Sequence, residues 1–170
     1  MTKFLLSLHV LAAIVAVGPV TVAASMFPPS ARKALAEPGG ERAVAAVRLL
    51  HRICRVYGGV GIAVPVLGFA TAMSMGVLND AWLIVSMLLT ALAAMVLLAL
   101  VLPRQEEILA GIADTATGTR SPATGTGTGT GTAVDTRATA RLAMFTGMFN
   151  LLWATVTVLM IVRPGSTTGA

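Results

Sequence analysis

Four runs, at about 4–26, 57–78, 81–102 and 142–162, contain no Asp, Glu, Lys or Arg and are apolar on every side. A bilayer core of ~30 Å is crossed by about 20 helical residues rising 1.5 Å each. No water reaches backbone groups there, so an apolar run of that length must be helical. The sequence therefore predicts an all-α, polytopic membrane protein: an antiparallel bundle of four transmembrane helices forming a single membrane domain over residues 1–170. Composition agrees, with 56% hydrophobic and 11% charged residues and a mean hydropathy of +0.85. Soluble domains run near a quarter charged, and a water-soluble fold of this make-up would lack polar residues to cover its surface.

The connections have distinct signatures. Only Asn79 and Asp80 join the second run to the third, which predicts a tight hairpin. "FPP" at Phe27–Pro29 is expected to close the first helix, and Pro103 and Pro164 the third and fourth, because proline lacks the helical N–H. "EPGGERAVAAVRLLHRICRVYGG" reads as a turn at Pro38–Gly40 and a helix from about Glu41 that runs into the second span, a cytoplasmic extension of helix 2. Residues 113–136, with their alternating Gly-Thr tract, have no apolar face to bury and read as a flexible cytoplasmic linker.

Orientation follows from the basic residues. Ten of the twelve Lys and Arg lie between the first and second runs or between the third and fourth, leaving Lys3 and Arg163 on the other side. The positive-inside rule then places both main loops in the cytoplasm and both termini outside. A cleavable signal peptide ending near Val22–Ala24 is the rival reading. It would leave a loop of six charges outside, against that rule. Arg48, His51, Arg52 and Arg55 recur at helical spacing as a cytoplasmic basic stripe, expected to meet anionic lipid headgroups at ~1 kcal/mol per charge. Nucleic acid is not an expected partner: the basic residues flank apolar spans, and only 5% of residues are aromatic.

His9 is the one ionisable side chain inside a span. It sits about six residues from the outer end of its helix, or ~9 Å deep, and ionisable groups inside spans face the bundle interior. It shares its face with Ala12, Ala13 and Ala16, and Gly61, Pro65, Gly68 and Ala72 form the matching small-residue face of the second span. Such faces allow helices to approach closely. Gly18–Pro19 and Pro65 should bend these two helices and open a small cavity between them. On the fourth span Thr146, Asn150, Trp153 and Thr157 form an intramembrane polar face, read as interhelical glue or as a ligand-facing stripe. His9 and His51 fall at opposite membrane faces, too far apart to ligate one haem. His9 paired with a methionine such as Met73 or Met87 is the arrangement that would suit haem b or copper. The single cysteine, Cys54, excludes an intrachain disulfide and a Cys-based zinc cluster. No catalytic constellation can be assembled.

"KFLLSLHVLAAIVAVG" at the N-terminus, a hairpin ending in "LALVLPRQ" and a closing "LMIVRPG" resemble a bacterial family of small four-helix predicted integral membrane proteins of unknown function (DUF type). That family is distantly similar to copper-resistance D-type proteins and to the J-type protoporphyrinogen oxidase. In those oxidases a first-span histidine binds haem, and His9 matches its position; the membrane-embedded lysine of that group has no counterpart here. Three readings follow. The first is a non-enzymatic membrane component acting through helix packing, self-association or a membrane-protein partner. The second is a haem- or copper-binding redox protein using His9, and the third a small transporter or permeation path.

Overall fold

The computed structural model describes residues 2–37, 40–116 and 130–165, with side chains for all of these except 115–116 and 130–136. The described residues are helical with no strand: α1 (Thr2–Ala36), α2 (Glu41–Val60), α3 (Ala63–Met75), α4 (Ala81–Met95), a π-helical segment (Val96–Val101), α5 (Leu102–Ala116) and α6 (Thr130–Val162). They form four long rods, since α2 and α3 are nearly continuous and α4 passes through the π segment into α5. Each rod is long and apolar enough to cross a membrane. Of the segment 113–136 read as a flexible linker, 117–129 lies outside the described residues, while 113–116 and 130–136 are helical, as the ends of α5 and α6.

Three prolines expected to end helices do not. α1 continues through Pro28 and Pro29 to Ala36, with Phe27, Pro28, Ala31 and Ala34 buried. A proline in a helix forfeits one hydrogen bond and crowds the carbonyl four residues earlier, but packing along a whole face can outweigh a local penalty. At Pro103 the chain uses another device. The turn before it widens to π geometry, with the Leu102 N–H reaching the Leu97 carbonyl. A widened turn moves the Ala99 carbonyl away from the proline ring, so the rod continues. Pro164 behaves as expected, and α6 stops at Val162.

Pro65 is accommodated by a tightened turn one turn upstream. α2 and α3 part at Gly61–Ile62, where Ile62 N–H bonds Gly59 O (3.2 Å) and Val64 N–H bonds Gly61 O (3.1 Å). These i→i−3 bonds shift the Gly61 carbonyl that the ring would otherwise strike. The hairpin is also present: Gly76, at φ 71°, ends α3 in the left-handed conformation and Asp80 caps α4 in an extended one.

The two ends of the bundle are packed differently. Phe27, Val47, Cys54, Val101, Gln105, Thr139 and Leu142 are all fully buried, at the end where α1 finishes, α2 begins, and α5 and α6 meet. The main apolar cluster takes in Ala31, Ala34, Val47 and Ile112 at this end and continues through Ala24, Val96 and Phe149 into the neighbouring part of the apolar intervals. At the opposite end the buried apolar cluster is only Ala72, Trp82 and Leu83. The surface divides the same way. Exposed large apolar side chains occupy 4–26, 56–98 and 144–162, and beyond these intervals Leu49 alone is exposed among the described residues. α2 and α5 are strongly amphipathic whereas α1, α3, α4 and α6 are not, as expected if only the former meet water on one side.

Leu142→Ala should therefore destabilise the bundle by about 2–5 kcal/mol. Leu88→Ala, at a position 67% exposed, should change stability by less than about 0.5 kcal/mol. Unfolding in detergent would compare them; equal losses would refute the division into a tight end and a loose one.

Candidate functional site

Small residues on α1 and α3 bring the two helices close enough for backbone to meet side chain. His9 lies over Gly68, where a Cβ would stand 2.9 Å from His9 Cε1. That proximity puts His9 Nδ1 3.0 Å from the Val64 carbonyl. A carbonyl can only accept, so Nδ1 carries the proton and donates. In the neutral ring Nε2 is then left with its lone pair, and it makes no hydrogen bond among the described residues.

His9 lines a cleft of about 900 Å³ bounded by α1, α3, α4 and α6. Gly18 and Pro65 also line it, so there is a cavity between the first two spans, although α1 runs on through Pro19 without a break. Its walls are mostly apolar. Several of them, including Ile14, Phe69, Met87 and Ile161, are exposed on the apolar surface, so the cleft opens sideways into that belt. Met87 thus shares the cleft with His9; Met73 is exposed and is not part of its lining. Thr157 lines it too, but its hydroxyl donates to the Trp153 carbonyl at 3.0 Å. Arg163 stands at the mouth, 5.8 Å from the Trp82 ring centroid, while the Trp82 indole N–H donates to Asp80 Oδ2 at 3.0 Å.

Trp153 lines the cleft as well, whereas Thr146 and Asn150 on the same face of α6 are not part of its lining. Asn150 Nδ2 donates to Ser25 Oγ on α1 at 3.0 Å, the interhelical bond expected of glue. Asn150 Oδ1 and the buried Thr146 hydroxyl have no hydrogen-bond partner among the described residues.

The basic stripe divides. Arg48, Arg52 and Arg55 are exposed, whereas His51 turns inward. His51 Nδ1 lies 3.1 Å from Gln105 Oε1, and Gln105 Nε2 donates to Cys54 Sγ at 3.6 Å. Glu106 Oε1 stands 3.7 Å from His51 Nε2. His51 is therefore a contact between α2 and α5 rather than a member of the cationic face. Gln105 was not anticipated as a partner, although its spacing signals it: residues 105, 108 and 112 fall on the apolar face of α5. About 20 Å of helix rise separates His51 from Val64, so the two histidines occupy separate sites.

Among the described residues no three His, Cys, Asp or Glu side chains converge to hold a metal ion. No protein-family model, curated protein or solved structure matches the chain. The site is therefore argued from its own geometry.

Gly68→Ala should displace the imidazole and break its bond to Val64, a loss of roughly 0.5–1.5 kcal/mol. In ¹⁵N spectra of histidine-labelled protein, with His51→Asn to assign the two rings, wild-type His9 should show a protonated Nδ1 and an unprotonated Nε2. The reverse tautomer would contradict the geometry.

Proposed function

We propose that the chain is a four-span integral protein of the bacterial plasma membrane, an antiparallel bundle with both termini outside and both main loops in the cytoplasm. It acts as a non-enzymatic membrane component, working through its lateral cleft and small-residue helix faces on apolar guests, lipids or neighbouring helices. One observation carries this reading. The exposed apolar intervals 4–26, 56–98 and 144–162 contain one charged residue, Asp80, and it lies in the hairpin. A surface of this kind in water would aggregate, while in lipid it is the expected coat. The tightly packed end then projects from the cytoplasmic face with exposed Arg48, Arg52 and Arg55 beside it, placed to meet anionic headgroups.

Single cysteines in a Cys54→Ala background test the orientation. On intact cells a membrane-impermeant maleimide should label Lys3→Cys and leave Ala45→Cys unlabelled until the cells are opened. Labelling of Ala45→Cys alone on intact cells would invert the proposed topology.

A second reading, a haem- or copper-binding redox protein, is favoured by the state of His9. A ring whose Nδ1–H is held by a backbone carbonyl presents Nε2 as metal-ligating histidines do. Met87 shares the cleft, which is roomy enough for a planar macrocycle. His9 would help hold the group, and the bound group would supply one-electron chemistry. Protein purified from haem- and copper-replete cells should show a Soret band or bound copper, lost in His9→Ala, if this reading holds; colourless, metal-free protein would reject it.

A further inference from the structure

His9 Nε2 stands out among the polar groups of the cleft. The hydroxyls that line the same space are engaged within their own helices: Thr21 with the Val17 and Gly18 carbonyls at 2.9 and 2.8 Å, Thr90 with Ser86 O at 2.7 Å, and Thr157 with Trp153 O at 3.0 Å. At the mouth, Arg163 Nε reaches the Met160 carbonyl at 3.4 Å. His9 differs because the Val64 carbonyl takes its one proton. What remains is a strong acceptor in a mostly apolar cleft, with no donor to meet it among the described residues. Water is scarce at that depth, and an acceptor left alone there is costly.

The missing partner has a definable chemistry. It must bring an O–H to Nε2 and enter through a side opening walled by Ile14, Phe69, Met87 and Ile161. Its remainder must be apolar to match the walls. An acyl chain of an ordinary phospholipid would fill the volume but offers no donor. A water-soluble ligand would have to cross the apolar belt.

We propose that the cleft binds a lipid-soluble molecule carrying a hydroxyl on an apolar body, with the O–H donating to His9 Nε2. Aliphatic alcohols and phenols share this chemistry, and a phenol, the more acidic donor, binds better at equal length. The inference rests on the cleft facing lipid but not on which face of the membrane it lies near, so the topology test and this one can fail separately.

The experiment uses the full chain in nanodiscs, with 1-dodecanol and 4-dodecylphenol as probes and their methyl ethers as donor-free controls. Either hydroxyl compound should bind roughly threefold to tenfold more tightly than its ether, the range a single hydrogen bond supplies. Binding should also move the His9 ¹⁵Nε2 resonance toward the hydrogen-bonded range. A preference shown by the phenol alone or by the alcohol alone supports the proposal and identifies the class. The preference should vanish in His9→Phe, which keeps a flat ring of similar bulk; the ether comparison on the wild type decides the matter if that variant does not fold. Equal binding of alcohol and ether would show that the cleft only accommodates chains and would overturn the proposal. Absence of binding, a preference that survives His9→Phe, or a Soret band occupying Nε2 would each overturn it as well.

Discussion

Apolar burial stabilises a contact between helices only where the alternative is water; in lipid the chain gains nothing by exchanging one apolar neighbour for another. This protein has rods of 33–36 residues, or about 50 Å at 1.5 Å per residue, against a hydrocarbon core of ~30 Å. In the bilayer setting proposed above, roughly 20 Å of each rod would lie outside the core. That surplus would be gathered at one end, where hydrophobic drive is available, and there the fully buried Phe27, Val47 and Cys54 are found. The tight end holds the four helices in register, and the membrane half need not be close-packed. A cleft of about 900 Å³ can persist in that setting, because lipid would cover its apolar walls.

The prolines show the same interplay. Pro28 and Pro29 are tolerated inside α1 because the helix around them is buried, and Pro103 because the preceding turn widens. Pro65 lies toward the loosely packed half, and there the rod breaks at Gly61–Ile62. The close approach of His9 to Gly68 lies just beyond that break. The histidine that composition marks as an anomaly is thus held by a backbone carbonyl, and its reactive face points into the loose half.

Much of this was legible in the chain. The four charge-free runs, the Asn79–Asp80 hairpin, the inward alanine and glycine faces of α1 and α3, and a local departure from regular helix near Pro65 all follow from short-range rules. Three features were not. Continuation through Pro28–Pro29 depends on tertiary burial, which no local rule contains. The π turn before Pro103 depends on neighbouring helices holding the rod straight. The inward turn of His51 depends on Gln105, 54 residues away in sequence, and on the angle at which α2 meets α5. Spacing alone puts His51 on the edge of the arginine face, where either orientation satisfies the helical period.

The central claim is that the bilayer covers one interval of each rod and that helix continues into water beyond it. Nitroxides at Leu88, Leu151 and Leu49, each introduced through a single cysteine in a Cys54→Ala background, test it in nanodiscs. All three side chains are exposed and apolar, so side-chain chemistry does not distinguish them; only position does. The account predicts that Leu88 and Leu151 relax with oxygen and are shielded from a polar nickel chelate, while Leu49 responds to the chelate. Leu49 behaving as a lipid-facing site, or Leu88 and Leu151 open to nickel, would contradict it.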